Sequence, residues 1–207
     1  MIKNFVLSTF VVVLTALCPF GAFASQPQNK ICLAYCTYYG DKLPDPNIVT
    51  HINYAFAELY VVDGVYKTFK LQGNESRFRQ VMALKKQNPN LKICLAFTHT
   101  VSNSDNRQGG GFSKMSASPE MRKQFAADCL AFCKKWNLDG IDIDWEFPGL
   151  SWSGHASDPK TDTKNYTLLM KDLREALGND YILSFAGYVI DMQSTDNGKK
   201  YVDIHAV

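Results

Sequence analysis

Net charge, paired cysteines and clustered histidines are all scarce in this 207-residue chain. Lys and Arg number 22 against 20 Asp and Glu, and no basic run breaks the balance. Without a basic stripe there is no electrostatic footprint for nucleic acid, so no nucleic-acid partner is expected. Only Cys32, Cys36, Cys94, Cys129 and Cys133 follow the amino-terminal segment. An odd number argues against a complete disulfide framework, and no pair has the C-x-x-C spacing of a zinc or redox motif. These thiols are expected to act as small buried hydrophobes. His51, His99, His155 and His205 are too scattered to suggest a metal cage. Gly109-Gly110-Gly111 lacks the G-K-[ST] of a phosphate loop, which leaves it a plain flexible loop. No metal or other cofactor is therefore expected.

Long apolar runs are also rare, and the one present opens the chain. Lys3 supplies a positive start, residues 5–20 form an apolar core, and Ala22-Phe23-Ala24 is an A-x-A cleavage signal. Pro19 and Gly21 cut the run short of a spanning helix, so residues 1–24 read as a signal peptide rather than a stable membrane anchor. Export to the periplasm or the extracellular space follows as an expectation. Residues 25–207, about 180 in number, suffice for one sizeable domain.

Within that domain strand and helix signals alternate. Residues 31–39 and 51–59 read as strands rich in aromatic and β-branched residues, with a hairpin around Asp63-Gly64. Residues 75–87 read as a helix, with Phe78, Val81, Met82 and Lys85 on one face. A strand over 91–97 follows. Ser118 caps the next helix with Pro119 in its first turn, and Phe125, Cys129, Phe132, Cys133 and Trp136 form its apolar stripe. Asp162 or Thr163 opens a further helix that buries Tyr166, Leu169, Leu173 and Leu177 and stops at Gly178. Residues 181–186 give a fifth strand. The alternation implies an α/β fold, a parallel sheet with helices outside, and the intervals between the later strands suit a (β/α) barrel. Reacting groups of that fold gather at the carboxyl ends of strands. The long stretches 98–117 and 149–160 are expected to roof the site.

Between the last two helices lies the most informative stretch, residues 139–148, DGIDIDWEFP. Alternation along a strand puts Asp142, Asp144 and Glu146 on one face, roughly 7 Å apart, and Ile141, Ile143, Trp145 and Phe147 on the other. Burial and mutual repulsion oppose ionisation of acids so placed and push their pKa values apart. A solvated acidic surface would not carry β-branched and aromatic residues at every second position. A calcium loop needs its glycine after the acids, whereas Gly140 precedes them. The arrangement therefore points to catalytic carboxylates. Asp139 sits out of phase at the strand entrance and is expected to order the turn and the neighbouring acids.

The stretch DGIDIDWEFPG resembles the DGxDxDxE signature strand of glycoside hydrolase family 18, the chitinases and their relatives. THINYAFA at 50–57 is similar to the family's second strand, and Ala34-Tyr35 resembles its G-Y-Y. Phe112-Ser113-Lys114-Met115 and residues 165–177 look like its approach to the acid strand and its next helix. The resemblance implies a (β/α)8 TIM-barrel fold and hydrolysis of β-1,4-linked N-acetylglucosamine polymers, chitin or chitooligosaccharides. Glu146 would be the general acid and then the base. Asp144 would hold the 2-acetamido group whose carbonyl oxygen attacks the anomeric carbon, the substrate-assisted exception to the two-carboxylate scheme. Asp142 would share a proton or charge with Asp144. Tyr35, Phe56 and Phe147 match positions lining the sugar site, although Phe56 also reads as an ordinary barrel-core aromatic. Trp152 would stack on a sugar from the roof.

Two departures from the family pattern stand out. Where the family has S-x-G-G this chain reads Ala96-Phe97-Thr98-His99, so a hydroxyl near the inner aspartates and two glycines are replaced. The sequence also stops after about the fifth strand, which is expected to leave about five of the eight βα units of a truncated barrel. The sixth strand, with the family's Tyr and Asp, and the eighth, with its floor Trp, are missing from it. Two other functions stay open: an endo-β-N-acetylglucosaminidase acting on N-glycans, and a non-catalytic chitin-binding lectin. Members of the second kind usually lose the final acid, and Glu146 is retained.

Overall fold

The computed structural model describes residues 30–101, 111–149 and 156–187. Residues 1–24, expected to be a signal peptide, and Trp152 lie outside them. Strands β1 (Leu33–Thr37), β2 (His51–Val62), β3 (Val65–Leu71), β4 (Lys92–Val101), β5 (Gly140–Asp144) and β6 (Ile182–Phe185) form one sheet. Its order is β1-β2-β4-β5-β6, parallel throughout, and β3 returns antiparallel along the carboxyl half of β2. Helices α1 (Glu75–Met82), α2 (Phe112–Ala117), α3 (Pro119–Trp136) and α4 (Asp162–Leu177) complete the described elements. Among the described residues β1 and β6 do not pair, so this is an open part of a β/α barrel. No described helix is long and apolar enough to cross a membrane.

Local chemistry accounts for the boundaries. Asp63 and Gly64 both take left-handed φ, 52° and 73°, as a tight hairpin turn matched to strand twist demands. Asn74 caps α1 by accepting from the Arg77 N–H, and Ser118 caps α3 by accepting from Met121 N–H at 3.2 Å. Gly178 ends α4 at φ 69°, its N–H donating to the Arg174 carbonyl. The helix expected over 75–87 is shorter. It stops at Met82 and tightens into a 3₁₀ turn, Ala83–Lys86, from which Lys85 reaches the amino end of β5.

Of the stretch 98–117 expected to roof the site, residues 98–101 and 111–117 are described, and the rest lies outside the described residues. β4 runs on to Val101, and Phe112–Ala117 is a helix whose Phe112 and Met115 are buried among α3, α4 and Trp145.

The core lies on the helix side of the sheet. Ile52, Tyr54, Ile93, Leu95, Phe97, Ile141 and Ile143 are fully buried there. Tyr54 meets Phe78 of α1 at 5.0 Å and Phe97 meets Phe125 of α3 at 4.9 Å, both edge to face. Of the thiols, Cys36, Cys94, Cys129 and Cys133 are buried and free, as small hydrophobes should be. Cys32 departs from that expectation: it precedes β1 and is exposed. The opposite face carries Leu33, Tyr35, Asn53, Ala55, Cys94, Ala96, Gly140, Asp142 and Ser184 in matched register. Small residues across β2, β4 and β5 leave room above that face for polar groups.

Candidate active site

Strand alternation brings the inner acids together as expected. Asp142 and Asp144 point away from the helices, at 1% and 8% exposure, while Ile141, Ile143 and Trp145 point into the core. Trp145 stacks on Phe112 at 5.7 Å and 21° and lies 5.1 Å from Tyr166. The Tyr166 hydroxyl donates to the Ile143 carbonyl at 3.1 Å. The back of the acid strand is thus clamped by α2 and α4. β5 ends at Asp144, and Glu146 follows it, half-buried. Both the Glu146–Phe147 and the Ala55–Phe56 peptide bonds are cis.

Tyr35 reaches these acids from β1. Its hydroxyl donates to Asp142 Oδ2 at 2.6 Å and stands 3.3 Å from Asp144 Oδ1. On the other flank Ser184 Oγ donates to Asp142 Oδ1 at 2.6 Å. Asp142 therefore receives one hydroxyl proton on each oxygen. Register explains the second contact, because Asp142 lies between Ala96 of β4 and Ser184 of β6. The hydroxyl missing at Ala96 is offered by the strand on the other side.

Electrostatics separate the two aspartates. Burial, then the charge and hydrogen bond of Asp142, then the charge of Glu146, raise the Asp144 pKa to about 8, with the Tyr35 hydroxyl opposing. At neutral pH Asp144 is mainly protonated and hydrogen-bonded to Asp142. Burial and the adjoining Asp142 push the Tyr35 phenol far up, so it stays a donor across the working range.

Phe56, at 6.4 Å from the Tyr35 ring, sits on the rim of the same face, and Phe147 is half-buried just past the acids. Asp139 is elsewhere. It pairs with Lys85 at 2.5 Å and Lys92 at 3.3 Å and accepts from the Ile93 N–H at 2.7 Å. Those contacts tie β4 to β5 at the amino edge of the sheet, opposite Glu146, so Asp139 orders the strand entrance and has no hydrogen bond or ion pair to the other acids among the described residues. Beyond the acids, Asp162 is fully buried at the start of α4 and accepts from Ser113 Oγ (2.7 Å), Gly149 N–H (3.0 Å) and Asp158 N–H (2.7 Å). It fixes both ends of the loop that leaves the acid strand.

Sequence reasoning missed Ser184, the buried Asn53, whose side chain hydrogen-bonds to the Tyr35 hydroxyl, and the loop-anchoring part of Asp162. Ser184 sat in the expected fifth strand, and only its register with Asp142 reveals its part. His99 was noted as a departure from glycine. Its imidazole hydrogen-bonds to the backbone of Asp144 and lies within electrostatic range of Glu146.

An open β/α-barrel sheet with paired buried aspartates and a third acid at the carboxyl end of one strand defines a barrel protein of the acid-strand kind. Residues 22–206 match the family described as Glycosyl hydrolases family 18, and the chain belongs to that family. It is similar to chitinase A1 of Niallia circulans, 30% identical over 74% of this chain and 28% of that protein. Among solved structures it resembles the chitinase domain of the spore coat protein CotE from Clostridium difficile. The TM-score there is 0.63 at 31% identity, covering 86% of this chain and 46% of that one. The family 18 N-acetylglucosaminidase of Paenibacillus barengoltzii gives a TM-score of 0.58 at 29% identity, covering 76% and 45%. The chain thus spans about a quarter of the curated relative's length and under half of either solved chain.

Proposed function

We propose that this chain carries the acid machinery of an exported glycosidase that cleaves β-1,4-linked N-acetylglucosamine polymers with retention, using the substrate's own acetamido group as nucleophile. The observation that carries the reading is the Asp142–Asp144 pair. One member is held protonated by burial and by its neighbour's charge, and Glu146 follows two residues on. Names of the relatives, chitinases and an N-acetylglucosaminidase, point to the same linkage chemistry.

In this mechanism Glu146 donates its proton to the glycosidic oxygen, and the leaving sugar departs with a new hydroxyl. The acetamido carbonyl oxygen forms a bond to the anomeric carbon as the glycosidic bond breaks. Positive charge then spreads over an oxazolinium ion. Asp144 passes its proton to Asp142 and, as an anion, accepts the acetamido N–H and balances that charge. The hydroxyls of Tyr35 and Ser184 hold Asp142 in place meanwhile. The Glu146 carboxylate finally takes a proton from water, which attacks the anomeric carbon and reopens the ring with its original configuration. No step calls on a metal or a cofactor.

Hydrolysis of a chromogenic chitotrioside by the full-length gene product is the test. Glu146→Gln is expected to lower kcat by roughly a hundred- to ten-thousand-fold while leaving chitin-oligomer binding by calorimetry in place. Unchanged turnover in that variant removes Glu146 from its role. Binding without any turnover in the wild type favours a lectin. Release of intact glycans from a glycoprotein, with chitin oligomers untouched, favours the endo-β-N-acetylglucosaminidase.

A further inference from the structure

His99 occupies the point where the acid strand leaves the sheet. Thr98 and Asp144 form the last register pair between β4 and β5. One residue on, the half-buried His99 imidazole donates its ring N–H to the Asp144 carbonyl oxygen and lies within electrostatic range of Glu146. That carbonyl belongs to the peptide from which the chain turns, with Trp145 anchored on one side by Phe112 and Tyr166 and Glu146 next along. A ring donating there fixes both the turn and the direction in which the following acid leaves it.

We propose that His99 is the positioning residue for Glu146: its imidazole, donating to the carbonyl where the chain leaves the sheet, fixes the turn that aims the general acid. This deepens the glycosidase reading and rests on it. Burial keeps the imidazole neutral by lowering its pKa below the ordinary value, while the Asp144 carbonyl and the Glu146 charge work the other way. The charged and titratable groups around it come from several elements. β5 and its exit contribute Asp144 and Glu146, with Asp142 one pair deeper. From β2 comes Glu58, which accepts from the Thr100 hydroxyl beside His99 and from Gln72 at 2.6 Å. β3 contributes Lys70, in register with Glu58. Gly111, before α2, faces the His99 carbonyl with backbone only.

The test uses the full-length gene product with isotope-labelled histidine. The His99 titration midpoint, followed by NMR, is expected below the ordinary value of about 6.5. It should fall further in Glu146→Gln, where the anion favouring the imidazolium is gone. In parallel, His99→Asn keeps a donor N–H but cannot become charged. Its kcat on the chitotrioside at pH 7 is expected within about threefold of wild type, because the donated hydrogen bond is restored. His99→Gly, which has no donor, should lose roughly five- to tenfold in kcat at pH 7 with KM little changed. A midpoint indifferent to Glu146→Gln, or equal kcat losses in His99→Gly and His99→Asn, overturns the proposal. A responsive midpoint in a protein without hydrolysis sustains the His99–Glu146 coupling and overturns only the glycosidase reading.

Discussion

Asp142 accepts a hydrogen bond on each oxygen, from Tyr35 and from Ser184, both at 2.6 Å, and so is held in place beside Asp144. Burial, and then the charge and hydrogen bond of the adjoining Asp142, favour the protonated form of Asp144, whose pKa is raised to about 8. Because the proposed cycle starts with that proton in place, kcat/KM is expected to fall along an alkaline limb near that value. In Asp142→Asn the charge that helps raise Asp144 is gone, so the limb should move acidward in a pH–rate profile. An unmoved limb would assign it to another group. The same shift has a stability consequence. Between the unfolded value of 3.8 and about 8 the folded chain holds a proton that the unfolded chain has released, so stability falls as pH rises through that window. Asp144→Asn abolishes this loss, and its Tm, measured from pH 4 to pH 9, is expected to exceed the wild type's most at the alkaline end.

Single elements are held by a few specific contacts. Any side chain at Gly140 would place its Cβ 2.0 Å from the Ile182 carbonyl oxygen, so β5 and β6 can pair only across a glycine. Gly140→Ala is therefore expected to loosen β6 and withdraw Ser184 from Asp142, seen as faster amide exchange in Ile182–Phe185 with α3 unaffected. Asp162 does for the loop what Gly140 does for the strand. Asp162→Ala strands three donors, Ser113 Oγ and the N–H groups of Gly149 and Asp158, at an expected cost of about 2–4 kcal/mol in denaturant unfolding. Period and caps made such elements legible beforehand: Asp63-Gly64 turned the hairpin, Ser118 opened α3 and Gly178 closed α4. The helix α2 was not legible. Six residues, Phe112–Ala117, are too few for periodicity to declare itself, and only the pocket between α3, α4 and Trp145 makes a helix of them.

Across the whole molecule the two faces of the sheet have different jobs. Stability resides on the helix side, where Leu95→Ala should cost about 2–5 kcal/mol. On the other face Leu33 is 47% exposed, and Leu33→Ala is expected to change unfolding free energy by under about 0.5 kcal/mol. Equal costs for the two would contradict this division. The sequence showed that partition through one strand, whose acids and apolar residues alternate from Ile141 to Glu146. It could not show the register in which neighbouring strands pair. The parts of Tyr35, Ser184 and His99 depend on β1, β6 and β4 converging on β5, and pairing between distant segments leaves no mark in local spacing. The clamp behind that strand carries a final implication. With Trp145 wedged between Phe112 and Tyr166, and Ile143 tied through its carbonyl to the Tyr166 hydroxyl, the ribbon cannot bow backward to let like charges drift apart. Burial retains a proton on Asp144, and repulsion that a slacker scaffold would dissipate as movement adds to that hold.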